Sequence, residues 1–521
     1  MRYPSASLTS PVPRPTIRMP GAGDVGYPTP FAYVGVAGFT LMSYVYDALL
    51  QEDTTGAMLP LLAARYERSP DGLTYLFELR DGPRWHDGLP VTADDVVFTF
   101  EYFGSQPLSP QLVAGPTDVV EARATGPRTV EVRLDKPAVR FESQVAGQLP
   151  ILPRHVWSGT ADPAGARSLE AAVGSGPYRL GEQTAGAGTF VLTANDDYYL
   201  GRPFVKRVEL RPVGDTDLDA VTAGEVDIAA ADPFGVPEAL LVRYRDDPAY
   251  GVLASKAAGC VPLMWNATRG GALADPVLRH ACVRAIDLDD VVTRVTGGNG
   301  VVGNAGYVVP GNPFYVDVPQ PGTDPSAANR MLDEAGYTRS GPDAVRQAPD
   351  GAPLRYALTV VRGMPAVAEL VTGSLRRVGV DVTPSQVSRA DVVAGADYEM
   401  LLGFDNAVAE HTDPDQLRPV YDSASTSFRR PDGYANPLVD ELVRRQAVTL
   451  DAVERTRLVA ELQNVVARDL PVMPLYYPDQ FSIFRRSVFD QWSTRADALT
   501  ERKRNFLTGL KAGLTIRPES G

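Results

Sequence analysis

Leu73, Tyr75, Phe77 and Leu79 alternate with Thr74, Leu76 and Glu78. A period of two predicts a strand with one face more buried than the other. The dipeptides Asp81-Gly82 and Asp87-Gly88 follow as turns. Thr92-Ala93-Asp94-Asp95 then opens a helix as a capping-box variant, with the acidic pair on the positive helix end. Val96, Phe100 and Phe103 stand at i, i+4 and i+7 and give that helix an apolar stripe. Most residues of this strand-turn-turn-helix stretch, from Asp71 to Phe103, read as a folded core unit that forces no catalytic group.

The same patterning runs on through the chain. Phe31 to Gln51 begins Gly-punctuated and is expected to end helical, with Leu41, Val45, Ala48 and Leu49 on one face. Val130, Val132 and Leu134 alternate with Glu131 and Arg133 as a strand. A helix stopped by Gly224 leads to a short buried strand at Ile228. Val261 to Asn266 reads as a strand, and Asp275-Pro276 starts a helix whose stripe is Leu278, Cys282, Ala285 and Ile286. Residues 310–322 hold too much Pro and Gly for a regular element. Asp324-Pro325, Asn436-Pro437 and Asp451 open three further helices, the first stopped by Gly336. Residues 354–382 read as strand, helix, strand. Strands alternating with helices argue for an α/β lobe.

Composition narrows the classes. The chain has 521 residues, too many for one core, which suggests about two to four domains. Hydrophobic residues at 44% and charged residues at 22% describe an ordinary folded protein. The net charge of -14 and the lack of a basic face argue against nucleic acid as a partner. No window of about 18 apolar residues exists to span a membrane. Residues 1–30 are rich in Pro, Ser, Thr and Gly and lack the basic start and apolar core of a signal peptide. Cys260 and Cys282 could join in an exported protein, or stay as two buried thiols, since Cys282 lies on a helix stripe.

Several segments, in order, resemble those of the family 5 extracellular solute-binding proteins of ABC importers, the peptide/nickel/opine group. Trp85-His86-Asp87-Gly88-Leu89-Pro90-Val91-Thr92-Ala93-Asp94-Asp95-Val96 matches that family's pattern almost position for position. Asp53, Gly56, Pro60, Leu62 and Ala63 match a preceding segment. Val173-Gly174-Ser175-Gly176-Pro177-Tyr178 resembles the family's GTGPY turn. A phosphate cradle is rejected there, because Pro177 removes an N–H donor and no helix pattern follows. Asn195 to Tyr199, Gly201-Arg202-Pro203 and Ala223 to Ile228 match further segments. Asn266, Asp275, Arg279, Ala281, Ala285, Ile286 and Asp287 resemble the opening of the second lobe, with His280 and Cys282 as departures.

The resemblance implies an α/β, two-lobed periplasmic-binding-protein-like fold of the large class, with an extra domain inserted in lobe 1. The expected division is 1–50 plus 170–255 plus 475–521 as the lobe 1 core, 51–169 as the inserted domain, and 256–474 as lobe 2. It implies an extracellular or periplasmic monomer, not an enzyme, without cofactor or metal. Such a protein would capture an oligopeptide or similar small solute between two lobes and deliver it to an ABC permease with its ATPase. The same fold could instead bind an oligosaccharide, a specialised metabolite or a nickel complex, and a secreted hydrolase is the remote alternative. Family members of this kind are exported and can carry a lipid anchor on an N-terminal Cys; none occurs near this N-terminus.

Candidate ligand contacts gather at strand ends, where α/β folds place ligands. Residues 401–415, LLGFDNAVAEHTDPD, run from an apolar strand into a polar loop. They resemble the family's GW…D..DP loop, with Phe404 in place of the usual Trp. In peptide-binding members its acidic residue can pair with a peptide's amino terminus. Gly403, Phe404, Asp405, Asn406, His411 and Asp413 are therefore candidates. Asp413 has a competing reading, the cap of a helix opened by Asp-Pro. His411 could serve a nickel site or simply face solvent, since no HExxH, CxxC or paired-His spacing occurs. Phe39 and Met42, in the lead-in that the resemblance places near the ligand, are either pocket residues or core. Trp265 and Asn266, at the end of a strand, complete the set. The acidity of the 401–415 loop favours a cationic or amine-bearing ligand.

Overall fold

The computed structural model describes residues 16–21, 26–52, 57–106, 116–181, 189–213, 217–405 and 412–489. They group into two units. The first takes its described residues from Met1–Ala231, Tyr244–Leu253 and Ser482–Gly521; the second is Asp232–Arg243 plus Ala254–Phe481.

In the first unit, strands Ala63–Arg68, Thr74–Leu79, Thr129–Leu134 and Val119–Gly126 lie side by side in that order, all antiparallel. The alternation at 73–79 decides the faces: Tyr75, Phe77 and Leu79 are buried and Leu76 is exposed. The helix Ala93–Ser105 buries Val96, Phe100 and Phe103. At its start the Asp95 carboxylate accepts both the N–H and the hydroxyl of Thr92, each at 2.9 Å, and also the Arg154 N–H at 3.0 Å. A second sheet orders Thr16–Gly21, Arg207–Pro212, Phe190–Ala194 and Tyr178–Leu180. Its first strand runs parallel to its neighbour and is held by Arg18 on Asp227, Nη2 to Oδ1 at 2.6 Å.

The helix expected late in residues 31–51 forms earlier, over Gly35–Val45. Tyr46 is extended, and Leu50–Glu52 leaves to pair with Met58–Pro60, so Ala48 and Leu49 lie outside the helix. The turn Gly174-Ser175-Gly176 explains the early stop. The Gly176 N–H donates to the Val45 carbonyl at 2.8 Å and so satisfies one orphan acceptor of the helix end. A Cβ on Gly174 would stand 2.0 Å from the Val45 oxygen, and one on Gly176 2.5 Å from the Tyr44 oxygen. The glycines serve close backbone approach. The same turn is tied to His86, which is buried. Its backbone N–H donates to the Gly174 carbonyl at 2.8 Å. Its Nδ1 accepts the Gly174 N–H at 3.2 Å, and its Nε2 lies 2.9 Å from the Gly176 carbonyl. Accepting at Nδ1 places the proton on Nε2.

The second unit holds a six-stranded sheet in the order Gly300–Val302, Val472–Pro478, Val261–Trp265, Met400–Leu402, Arg355–Val361, Asp381–Val387. Arg355–Val361 pairs in parallel with both of its neighbours, and the helix Pro365–Arg377 makes the crossover to Asp381–Val387. Every residue of Val261–Trp265 and Val472–Pro478 is buried, as unbroken apolar runs require. The caps work as read. Asp275, Asp324, Asn436 and Asp451 each accept an N–H of the first helical turn, at 2.9, 2.7, 3.0 and 2.8 Å. Cys260 and Cys282 are both buried free thiols.

Candidate functional site

Strand Met400–Leu402 ends beside Val261–Trp265. Past that end the chain keeps pairing through backbone alone: Gly403 N–H donates to the Pro262 carbonyl at 2.9 Å, and Asp405 and Cys260 exchange N–H and carbonyl at 2.8 Å each way. This extension carries Asp405 into the interior, 3% exposed. A carboxylate there needs partners. Its Oδ2 accepts the Tyr307 hydroxyl at 3.0 Å and Arg429 Nε at 2.7 Å, with Arg429 Nη2 at 2.5 Å.

The charges follow from this geometry. Burial, and then the Asp405 carboxylate, push the Tyr307 hydroxyl well above its ordinary range, so it remains a donor. The Cys260 thiol is raised in the same way and stays protonated. Burial works to lower the Arg429 guanidinium, but Asp405 and then Tyr307 outweigh it and hold it above its ordinary range. The cluster is thus a neutral pair, one carboxylate with one guanidinium. It borders a cavity of about 20 Å³, room for about one water. Gly403, Phe404, Phe428 and Met264 form further walls. Phe404 is fixed edge-on to Phe234, ring centroids 5.0 Å apart.

Asp413 is the cap of a short turn, Pro414–Gln416, its Oδ1 accepting the Asp415 N–H at 2.8 Å. It is also paired with Arg455, whose Nη1 lies 2.9 Å from Oδ2 and Nη2 2.5 Å from Oδ1. Gln446 links this pair to the next carboxylate, donating to Asp415 Oδ1 at 2.7 Å and accepting from Arg455 Nη2 at 3.1 Å. Asp415 in turn holds Arg418, Nη2 to Oδ2 at 2.8 Å. Each described carboxylate of the 401–415 stretch is therefore matched by an arginine, Asp415 by its near neighbour Arg418 and the other two from farther along the chain. Among the described residues, the acidity that suggests a cationic ligand is compensated within the fold.

The other candidates divide. Asn406 and His411 lie outside the described residues. Asn266 is buried and local in its bonding: its Oδ1 accepts the Thr268 N–H at 3.0 Å and its Nδ2 donates to the Tyr398 carbonyl at 2.9 Å. Trp265 is buried in the second unit's core, and among the described residues its Nε1 has no hydrogen-bond partner. Met42 is 1% exposed in the first unit's core. Phe39 is half-buried there, 5.8 Å from the Tyr33 ring. Of the named set, the structure brings together Gly403, Phe404 and Asp405. Tyr307 and Arg429 join them, and neither carries a spacing signal that points to Asp405.

A wider depression of about 640 Å³ lies between the helices Leu288–Thr296 and Pro365–Arg377. Its lining mixes Asp290 and Glu369 with Arg294 and Arg376, and so selects no ligand charge. Among the described residues no group of His, Cys, Asp or Glu could hold a metal ion, and no helix is long and apolar enough to cross a membrane.

Solved structures with the two-lobed, mixed α/β fold of periplasmic binding proteins match this chain nearly end to end. NikA from Brucella suis, in complex with Fe(III)-EDTA, aligns with a TM-score of 0.79 at 22% identity, covering 91% of this chain and 96% of that one. DppA from Helicobacter pylori, in complex with the peptide STSA, aligns at 0.77 and 21%, covering 95% and 97%. The oligopeptide-binding protein AppA of Bacillus subtilis is 25% identical over 485 residues, 88% of this chain and 86% of AppA. Residues 57–428 match the model of the bacterial extracellular solute-binding proteins, family 5. The chain belongs to that family.

Proposed function

We propose that this chain is the solute-capturing component of an ABC importer, taking an oligopeptide or similar small solute between two lobes. Its partners are then a membrane permease and the ATPase that drives it. The observation that carries the reading is the family match over residues 57–428. It is supported by relatives that cover the chain almost completely and whose names specify oligopeptide or nickel binding. The protein binds and releases; it does no chemistry. A ligand that contacts the closed state better than the open one shifts the population toward closure. The reading places the protein outside the membrane, with any lipid anchor carried by an N-terminal segment. It divides the chain into a lobe 1 core (1–50, 170–255, 475–521), an inserted domain (51–169) and lobe 2 (256–474). On lobe 2, Gly403, Phe404 and Arg429 are the contacts, with Asp405 holding Arg429 in place.

Thermal-shift screening against panels of peptides, oligosaccharides and nickel complexes tests this. A true ligand at about 100 times its Kd stabilises by about 2.7 kcal/mol. The peptide panel is expected to contain the largest shift. A panel with no shift for any peptide, beside a clear shift for a sugar or nickel complex, moves the chain to another ligand class. Time-dependent product from a bound peptide or sugar overturns the assignment as a binding protein.

A further inference from the structure

The corner at Asp405 is neutral, yet its two charges are not equally engaged. Asp405 Oδ2 takes the Tyr307 hydroxyl and two nitrogens of Arg429. An incoming ammonium would have to displace a guanidinium in a desolvated site, which costs more than the new contact returns. Arg429 stands differently. Its Nε and Nη2 are committed to Asp405, and Nη2 also lies 3.5 Å from Gln416 Oε1. Among the described residues its Nη1 has no hydrogen-bond partner. The side chain, 11% exposed, borders the small cavity between Gly403 and Phe428.

A guanidinium with an unspent N–H pair beside a cavity is built for an oxygen acceptor, since arginine has donors and no acceptor. The cavity's remaining walls are largely apolar, including Met264, Val361, Val392 and Leu401. They strengthen any charged hydrogen bond made there and offer an ammonium nothing. The space of about 20 Å³ admits a single oxygen-bearing group, tip first, with the body of the solute outside.

We propose that Arg429 Nη1 receives a carboxylate or other oxygen acceptor of the ligand, so that the solute is acidic or neutral at this corner and carries no ammonium there. This rests on the solute-binding reading above and adds the ligand's charge at one end. Asp405 is then a positioning residue: it fixes the guanidinium plane and leaves one nitrogen outward.

The test passes ligand pools over the immobilised full chain and weighs what is retained by mass spectrometry. The pools are a tetrapeptide mixture with free termini, the same mixture N-acetylated, and the same mixture C-amidated. Two further pools hold small dicarboxylic acids and small diamines of matched length. N-acetylation is expected to change retention less than about twofold, and C-amidation to lower it at least about tenfold, the scale of one charge-assisted bond. Arg429→Gln is expected to abolish the preference for free over amidated peptides. The double variant Arg429→Gln/Asp405→Asn removes both charges together and guards against misfolding from an unpaired buried carboxylate; it should behave like the single variant. Loss of binding on N-acetylation, with C-amidation tolerated, overturns the proposal. So does a double variant that keeps the discrimination. Retention of no peptide pool defeats the peptide reading alone, and the acid and amine pools then decide. Acids retained over amines support the assignment of Arg429; amines over acids, or neither, overturn it.

Discussion

Two buried polar knots, one in each unit, hold their neighbourhoods by opposite means. In the first unit His86 and the Gly174–Gly176 turn are joined by backbone groups and the imidazole ring. In the second, Asp405 and Arg429 are joined by charge, with Tyr307 as the third member. The first knot is made of family motifs and closes the end of a helix. Its glycines sit where a Cβ would overlap backbone. The second borders open space and has a donor to spare. The lesson is that the most recognisable residues of this chain carry architecture. The pair with the chemistry to meet a ligand is assembled from ordinary residues far apart in sequence.

Substitution breaks the two knots to different degrees. Gly174→Ala is expected to have the largest effect, about 4 kcal/mol or more, since a methyl 2.0 Å from the Val45 oxygen can be relieved only by moving backbone. In calorimetry the first unit's transition should fall or vanish while the second unit's stays; equal loss from both would deny that the turn is local. Asp405→Asn comes next, at about 3 kcal/mol, because it leaves the Arg429 guanidinium buried without its counter-charge. That loss belongs in the second unit's transition, and a melting temperature within a degree of the parent would mean the pair contributes little. Asp413→Ala should cost least, about 1–2 kcal/mol, through the lost cap and the lost Arg455 pair. Arg455 keeps Gln446 as a partner. Ligand affinity is expected to hold in this variant; a drop of tenfold or more at unchanged stability would restore Asp413 as a ligand contact.

What could be read in the chain beforehand follows the range of the interaction. Caps act over two or three residues, and Asp275, Asp324, Asn436 and Asp451 all behave as their sequence positions predict. Periodicity acts over one element, and the alternation through Tyr75 and Phe77 sets the buried face correctly. The helix at Gly35–Val45 ends earlier than its pattern predicts because Gly176, more than a hundred residues on, meets its last carbonyl. The partners of the acidic loop are hidden for the same reason. Asp405, Asp413 and Asp415 look like a cation site only while Arg429, Arg455 and Arg418 are out of view. Arg418 was near enough to pair locally; the other two lie 24 and 42 residues from their partners, and no spacing rule reaches that far.

Both cysteines of the chain, Cys260 and Cys282, lie in the second unit, and both are buried and free. Burial holds the Cys282 thiol up at about 12 and raises that of Cys260 as well, so neither offers a thiolate at neutral pH. Alkylation by a solution reagent must therefore wait for the sheet around them to open. The labelling rate reads the opening free energy of that half of the molecule alone, with the first unit silent. A solute bound at Arg429 would slow it in proportion to its occupancy.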